Sequence, residues 1–143
     1  MIEAYWRPRG GTLFLEVPIG GPGGKGAWSE GCKVRRIDGV LLPGTAMESI
    51  VHRFSRLTSE LFRRSIHPSL ELIEVKPRLN RSAIGQAIVA RRMFAHQYGV
   101  PAGRVTVLVG EGEGDSALEW VCKEEKICVE FIRDFSKRRI TRR

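Results

Sequence analysis

The pattern of apolar and polar positions changes period several times along the chain. Thr12 to Ile19 (TLFLEVPI) alternates in part and is rich in strand formers, which predicts a first strand carrying Glu16. The Gly-rich run from Gly20 to Gly26 suits a hairpin loop and neither a helix nor a strand interior. Lys33 to Leu42 (KVRRIDGVLL) predicts a second strand, ended by Pro43-Gly44. From Ala46 to Phe62 the apolar residues Met47, Ile50, Val51, Phe54, Leu57, Leu61 and Phe62 recur at helical spacing. That pattern predicts an amphipathic helix capped by Thr45, with Arg53, Arg56, Arg63 and Arg64 on its polar face.

Leu70 to Lys76 (LELIEVK) reads as a strand, bounded by Pro68 and Pro77. Ser82 to Tyr98 reads as a helix, capped by Ser82 and closed by Gly99. Arg104 to Val109 (RVTVLV) is the near-continuous β-branched run of a central strand. Asp115 to Lys126 predicts a further helix and Cys128 to Ile132 a last short strand. The order gives one α/β domain over residues 1–132: a mixed β-sheet of about five strands flanked by helices, opening with a hairpin and continuing with parallel crossovers.

Composition narrows the setting. The chain has 143 residues, 42% hydrophobic and 28% charged, as expected of a soluble globular protein. No apolar run approaches the ~20 residues that span a bilayer, and Met1 to Arg9 lacks the apolar core of a secretory signal. A cytoplasmic location with no membrane partner is the expectation. Cys32, Cys122 and Cys128 form no C-x-x-C, which disfavours zinc, and their odd number disfavours a disulfide framework. The formal charge is +8, from 24 basic and 16 acidic residues, which favours polyanionic partners. Much of the excess lies in a C-terminal tail, residues 133–143, where Lys137, Arg138 and Arg139 are candidate phosphate contacts. A solvated tail without function is the competing reading.

Candidate chemistry centres on Glu74 and Lys76. Residues two apart on a strand share a face, so carboxylate and ammonium emerge side by side while Ile73 and Val75 point the other way. Such a pair suits a metal ligand beside a phosphate-orienting charge, and equally a surface ion pair. Asp38 interrupts an apolar strand, where a carboxylate needs a partner or a metal. Pairing with Arg35 or Arg36 is the plain alternative. Gln86 lies in the first turn of the helix after the Glu74 strand and can reach the same end of the sheet. Lys25, in the Gly-rich loop, is not part of a G-x-x-x-x-G-K-[ST] nucleotide loop.

Arg36-Ile37-Asp38, Glu74-Val75-Lys76 and Gly85-Gln86, on successive strands and the following helix, resemble the PD-(D/E)XK nuclease superfamily, which includes archaeal Holliday-junction resolvases and many restriction enzymes. The resemblance covers Thr12 to Ile132 and implies a restriction-endonuclease-like fold and a metal-dependent DNA endonuclease. It implies Asp38, Glu74, Lys76 and Gln86 as catalytic residues, and Mg²⁺ or Mn²⁺ held by Asp38, Glu74, a backbone carbonyl near Val75 and a further glutamate. Ile37 replaces the name-giving proline, 36 positions separate Asp38 from Glu74, and Ala90 stands where the RecB-like branch has tyrosine. The N-terminal helix of the superfamily has only Met1 to Arg9 available, so Glu16 takes the place of its glutamate, with Glu30 in reserve. Lys25, Arg35, Arg36 and the tail are the nucleic-acid contacts, and a homodimer follows from the need to cut two strands. A non-catalytic nucleic-acid-binding protein on a nuclease-like scaffold is the alternative.

Deleting Ser136 to Arg143 is expected to weaken DNA binding almost equally for all sequences. The log–log dependence on salt should also become shallower, by about 0.9 per lost phosphate contact. Binding measured against salt checks this, and a melting curve on the same truncation detects a tail that instead completes the fold.

Overall fold

The computed structural model of the chain describes residues 1–21, 28–29, 31–44, 49–110 and 114–132. One mixed sheet of six strands runs through it, in the order β3-β1-β2-β4-β5-β6. The strands are β1 (Gly11–Ile19), β2 (Arg35–Leu42), β3 (Ser49–Arg53), β4 (Glu71–Lys76), β5 (Arg104–Val109) and β6 (Ile127–Phe131). The helices are α1 (Ile2–Trp6), α2 (Ser59–Ser65), α3 (Arg81–Tyr98) and α4 (Ser116–Glu124). β1 and β2 pair antiparallel, as do β2 and β4. β4, β5 and β6 run parallel, as expected of strands joined through helices.

The two sheet faces carry separate cores. Phe14, Val17, Ile37, Val40 and Leu72 meet Phe62 of α2, Ile84, Ala87 and Phe94 of α3, and Cys122 of α4. On the other face Leu13, Leu41, Ile73 and Leu108 meet Tyr5 and Trp6 of α1. That face also buries Glu71, whose Oε2 accepts from the Tyr5 hydroxyl at 2.6 Å and from the Thr106 hydroxyl. Arg104 Nε lies 3.5 Å from the same oxygen. A buried acid so supplied with donors keeps its place without a large penalty. The short α1 is thereby tied to β4. It forms within Met1 to Arg9, a stretch expected to leave little room for a helix.

Two expectations are corrected. The sheet has six strands rather than about five, and the amphipathic helix predicted over Ala46 to Phe62 does not form. Ser49 to Arg53 instead pairs parallel with β1, Ile50 against Thr12 and His52 against Phe14. The β-branched pair Ile50-Val51 suits a pleated surface, and the open edge of β1 supplies backbone partners that a local helical period does not reveal. A turn follows, in which the Ser55 amide donates to Thr58 Oγ1 at 2.8 Å, and only then does α2 begin. Thr45 and Met47 lie outside the described residues.

The remaining elements fall close to their predicted positions. The α3 cap is Asn80, whose side chain accepts from the Ala83 amide at 2.8 Å, rather than Ser82. Gly99 closes α3 in the left-handed conformation, as expected. Among the described residues, no helix is long and apolar enough to cross a membrane.

The corrected segment separates two apolar positions, Leu57 and Phe62, that a helical stripe would treat alike. Phe62 is fully buried, with Phe14, Phe54 and Tyr98 rings at 5.0, 5.5 and 5.2 Å, whereas Leu57 is 93% exposed. Phe62→Ala is expected to cost about 3–5 kcal/mol in urea denaturation, and Leu57→Ala to stay within about 0.5 kcal/mol of wild type. Equal losses would restore the continuous helix.

Candidate metal centre

β1 and β2 both change phase at one level of the sheet. In β1, Leu13 and Leu15 belong to the α1 side, whereas Phe14, Val17 and Ile19 belong to the α3 side. Strict alternation is therefore broken at Glu16, whose φ is +57°. In β2 the same break falls at Asp38: Ile37, Val40 and Leu42 share the α3 side and Leu41 the other. Gly39 follows on the α1 side, where a Cβ would stand 2.4 Å from Ile2 Cδ1. A larger residue there would have to displace the end of the Ile2 side chain and would press on Leu13.

The β2–β4 pairing runs over Leu41↔Glu71, Val40↔Leu72 and Gly39↔Ile73, and Asp38 is the residue just beyond. Its side chain takes over where the backbone ladder stops: Asp38 Oδ2 accepts from the Val75 amide at 2.7 Å. That bond fixes the carboxyl against β4, beside Glu74.

Glu74 is buried, 6% exposed, on a strand whose alternation is regular. Ile73 and Val75 face the α1 side, as expected, and Glu74 faces α3. Its carboxyl is pushed up from the ordinary 4.5 to about 8. Burial is the largest cause, followed by the charge of Asp38 and a hydrogen bond between the two carboxyls, with Lys76 opposing. Lys76 Nζ donates to Gln86 Oε1, and Gln86 Nε2 donates to Ser82 Oγ at 3.1 Å. The chain Ser82–Gln86–Lys76 thus sets the direction of the Gln86 amide and holds the ammonium over the same end of β4.

Two openings reach this place. A cleft of about 510 Å³ on the α3 side is lined by Arg35, Arg36, Glu74, Ser82, Gln86 and Val89, among others. A cavity of about 260 Å³ on the other side is lined by Glu16, Asp38, Arg53 and Val75 together with Met1 and Ile2. Glu16 lies at the rim, where its Oε2 is 3.3 Å from Arg36 and 3.8 Å from Arg53.

The structure therefore brings together Asp38, Glu74, Val75, Lys76 and Gln86, with Arg35 and Arg36 on the cleft wall. Glu16 is adjacent but turned onto arginines, and Arg36 pairs with it rather than standing as the partner of Asp38. Val75 contributes its amide to Asp38. Lys25, Glu30, Lys137, Arg138 and Arg139 lie outside the described residues. Among the described residues, no group of three His, Cys, Asp or Glu side chains is gathered to hold a metal. What is present is a buried carboxyl, Glu74, beside a half-buried one, Asp38, a pair that favours a positive partner, whether a proton or a cation, and two hard-oxygen donors of this kind fit Mg²⁺ or Mn²⁺.

Sequence reasoning passed over Ser82 and Arg53. Ser82 stands four residues before Gln86, the spacing of neighbours on one helix face, which was the available signal. Arg53 follows Ile50-Val51-His52, and reading those as a strand would have brought it beside β1. Comparisons with protein-family models, curated proteins and solved structures gave no match.

The raised Glu74 carboxyl has a consequence for stability. Between pH 4.5 and about 8 the unfolded chain loses this proton while the folded chain keeps it, so the metal-free fold loses stability as pH rises through that window. The slope is up to about 1.4 kcal/mol per pH unit. Glu74→Gln lacks this dependence. Urea denaturation in chelator at pH 5 and pH 8 should show the variant gaining on wild type as pH rises, and a constant difference would contradict the raised value.

Proposed function

We propose that the chain is a metal-dependent nuclease that hydrolyses DNA phosphodiester bonds. The observation that carries this reading is the meeting of Asp38, from the end of the β2–β4 pairing, with Glu74 and Lys76 of β4 and Gln86 of α3. The sheet agrees with the same reading, in that the antiparallel β1–β2–β4 set is followed by α3 and the parallel β5. So does the +8 charge, which favours a polyanionic substrate.

Asp38, held by the Val75 amide, and Glu74 would hold Mg²⁺ or Mn²⁺. Such an ion lowers the pKa of bound water and neutralises charge on the phosphate. The chain supplies the rest. Lys76 presents an ammonium, positioned by Gln86, to a phosphate oxygen or to the attacking water. Arg35 and Arg36 face the cleft and hold the substrate backbone.

A structure-selective enzyme acting as a homodimer, with four-way junctions or flaps as substrates, is the form of this reading best suited to a small chain with one site. A second reading is a non-catalytic nucleic-acid-binding protein. It draws on the fact that only two carboxyls meet among the described residues, with the third candidate, Glu16, held on arginines.

Labelled single strand, duplex, flap and four-way junction, each incubated with Mg²⁺ or Mn²⁺, test the proposal. At least one form is expected to be cut. Asp38→Asn and Glu74→Ala should each lower the rate at least about 100-fold, and Glu74→Ala should bind DNA as well as wild type or better. Wild-type cleavage by Glu74→Ala would end the assignment, and salt-dependent binding without cleavage of any form would favour the second reading.

A further inference from the structure

Three strands each send one residue to the rim of the site. Glu16 comes from β1, Arg36 from β2 and Arg53 from β3. The Glu16 carboxylate is shared by the two guanidinium groups, at 3.3 and 3.8 Å. The arginines belong to different openings: Arg36 lines the cleft over Glu74, and Arg53 lines the cavity that contains Asp38. Glu16 therefore stands between them, on the wall of the opening that contains Asp38.

The arrangement is an unusual way to neutralise two arginines. Glu16 has φ of +57°, a conformation that side chains bearing a Cβ adopt at a cost. Both arginines are largely exposed, 66% and 74%, and exposed ion pairs contribute little net stability. A stability role thus explains poorly why three strands converge here. The guanidinium fork donates to a carboxylate and to a phosphodiester through the same geometry, with two anionic oxygens in each. An incoming phosphate can therefore exchange with the carboxylate at small cost.

We propose that Arg36 and Arg53 form a binding site for a backbone phosphate of a nucleic acid, which Glu16 occupies in the free chain. The carboxylate acts as a built-in competitor. It keeps the two cations aligned while the site is empty of substrate and gives way to a phosphodiester. The inference rests on the reading of nucleic acid as ligand, and not on cleavage.

Binding of a labelled oligonucleotide in chelator, where no metal-dependent cleavage can occur, tests it in the full chain. Glu16→Gln removes the competing charge and is expected to tighten binding about 3- to 10-fold. Arg36→Gln and Arg53→Gln should each weaken it by a similar factor. With both arginines replaced, the salt slope should fall by about 0.9, one phosphate contact on duplex. In that double background Glu16→Gln should give no further gain, which a general loss of negative charge would not produce. Melting temperatures of the variants confirm folding, and their exposed side chains make large shifts unexpected. Unchanged or weaker binding by Glu16→Gln would overturn the proposal, as would arginine variants that bind like wild type, or a Glu16→Gln gain that persists without the arginines. The two readings fail separately. Tighter binding by Glu16→Gln without cleavage by wild type leaves the phosphate site standing and removes the nuclease. Cleavage by wild type with unaltered binding by the arginine variants does the reverse.

Discussion

Two carboxyl groups placed side by side, Glu74 buried and Asp38 half-buried, set the terms for this structure. Asp38 and Glu74 cannot both be charged there without a positive partner, and the fold answers locally rather than by spreading the charge. Asp38 takes a backbone amide, Lys76 stands on the same strand face as Glu74, and the proton stays on Glu74 well above its ordinary range. The surrounding elements serve this point. β2 stops pairing with β4 so that a side chain enters the ladder, and α3 begins at the same end of β4 so that Gln86 meets Lys76.

The sheet makes room by a coordinated irregularity. Glu16 and Asp38 lie at the one level where the β1–β2 pairing is interrupted, and the strands change phase together there, so the register between them is kept on both sides of it. Leu15 still opposes Gly39 and Val17 still opposes Ile37. A change in one strand alone would turn every residue beyond it to the wrong face. On the far side, the Tyr5–Glu71 bond holds α1 against β4, and Met1 and Ile2 line the opening that contains Asp38.

Much of this was legible because strand parity is a strict rule. Glu74 and Lys76 had to share a face, Asp38 was conspicuous as an acid in an apolar run, and Gln86 followed from the helix start after the strand. The β5 boundaries were read directly from the β-branched run. Other features lie outside local pattern. Met47, Ile50, Val51, Phe54, Leu57 and Leu61 fit a helical period well, yet Ile50 and Val51 went to a strand because β1 offered a partner far away in sequence. With β3 unread, Arg53 was placed on a helix face and its meeting with Glu16 could not be seen. Nor does a glutamate announce a left-handed backbone, so the turning of Glu16 onto its arginines was invisible until the strands were assembled.

The β2–β4 seam also divides the chain by how it is built. β4, α3, β5, α4 and β6 form a run of local strand–helix–strand contacts, whereas β1, β2 and β3 form the other flank. Asp38 belongs to one part and Glu74 to the other, joined across three paired positions, Gly39↔Ile73 to Leu41↔Glu71. A chain partly opened at this seam has Glu74 and Lys76 in place but no Asp38 beside them. The carboxyl pair therefore reports on completion of the whole sheet: it exists when both parts have docked and is lost as soon as they separate.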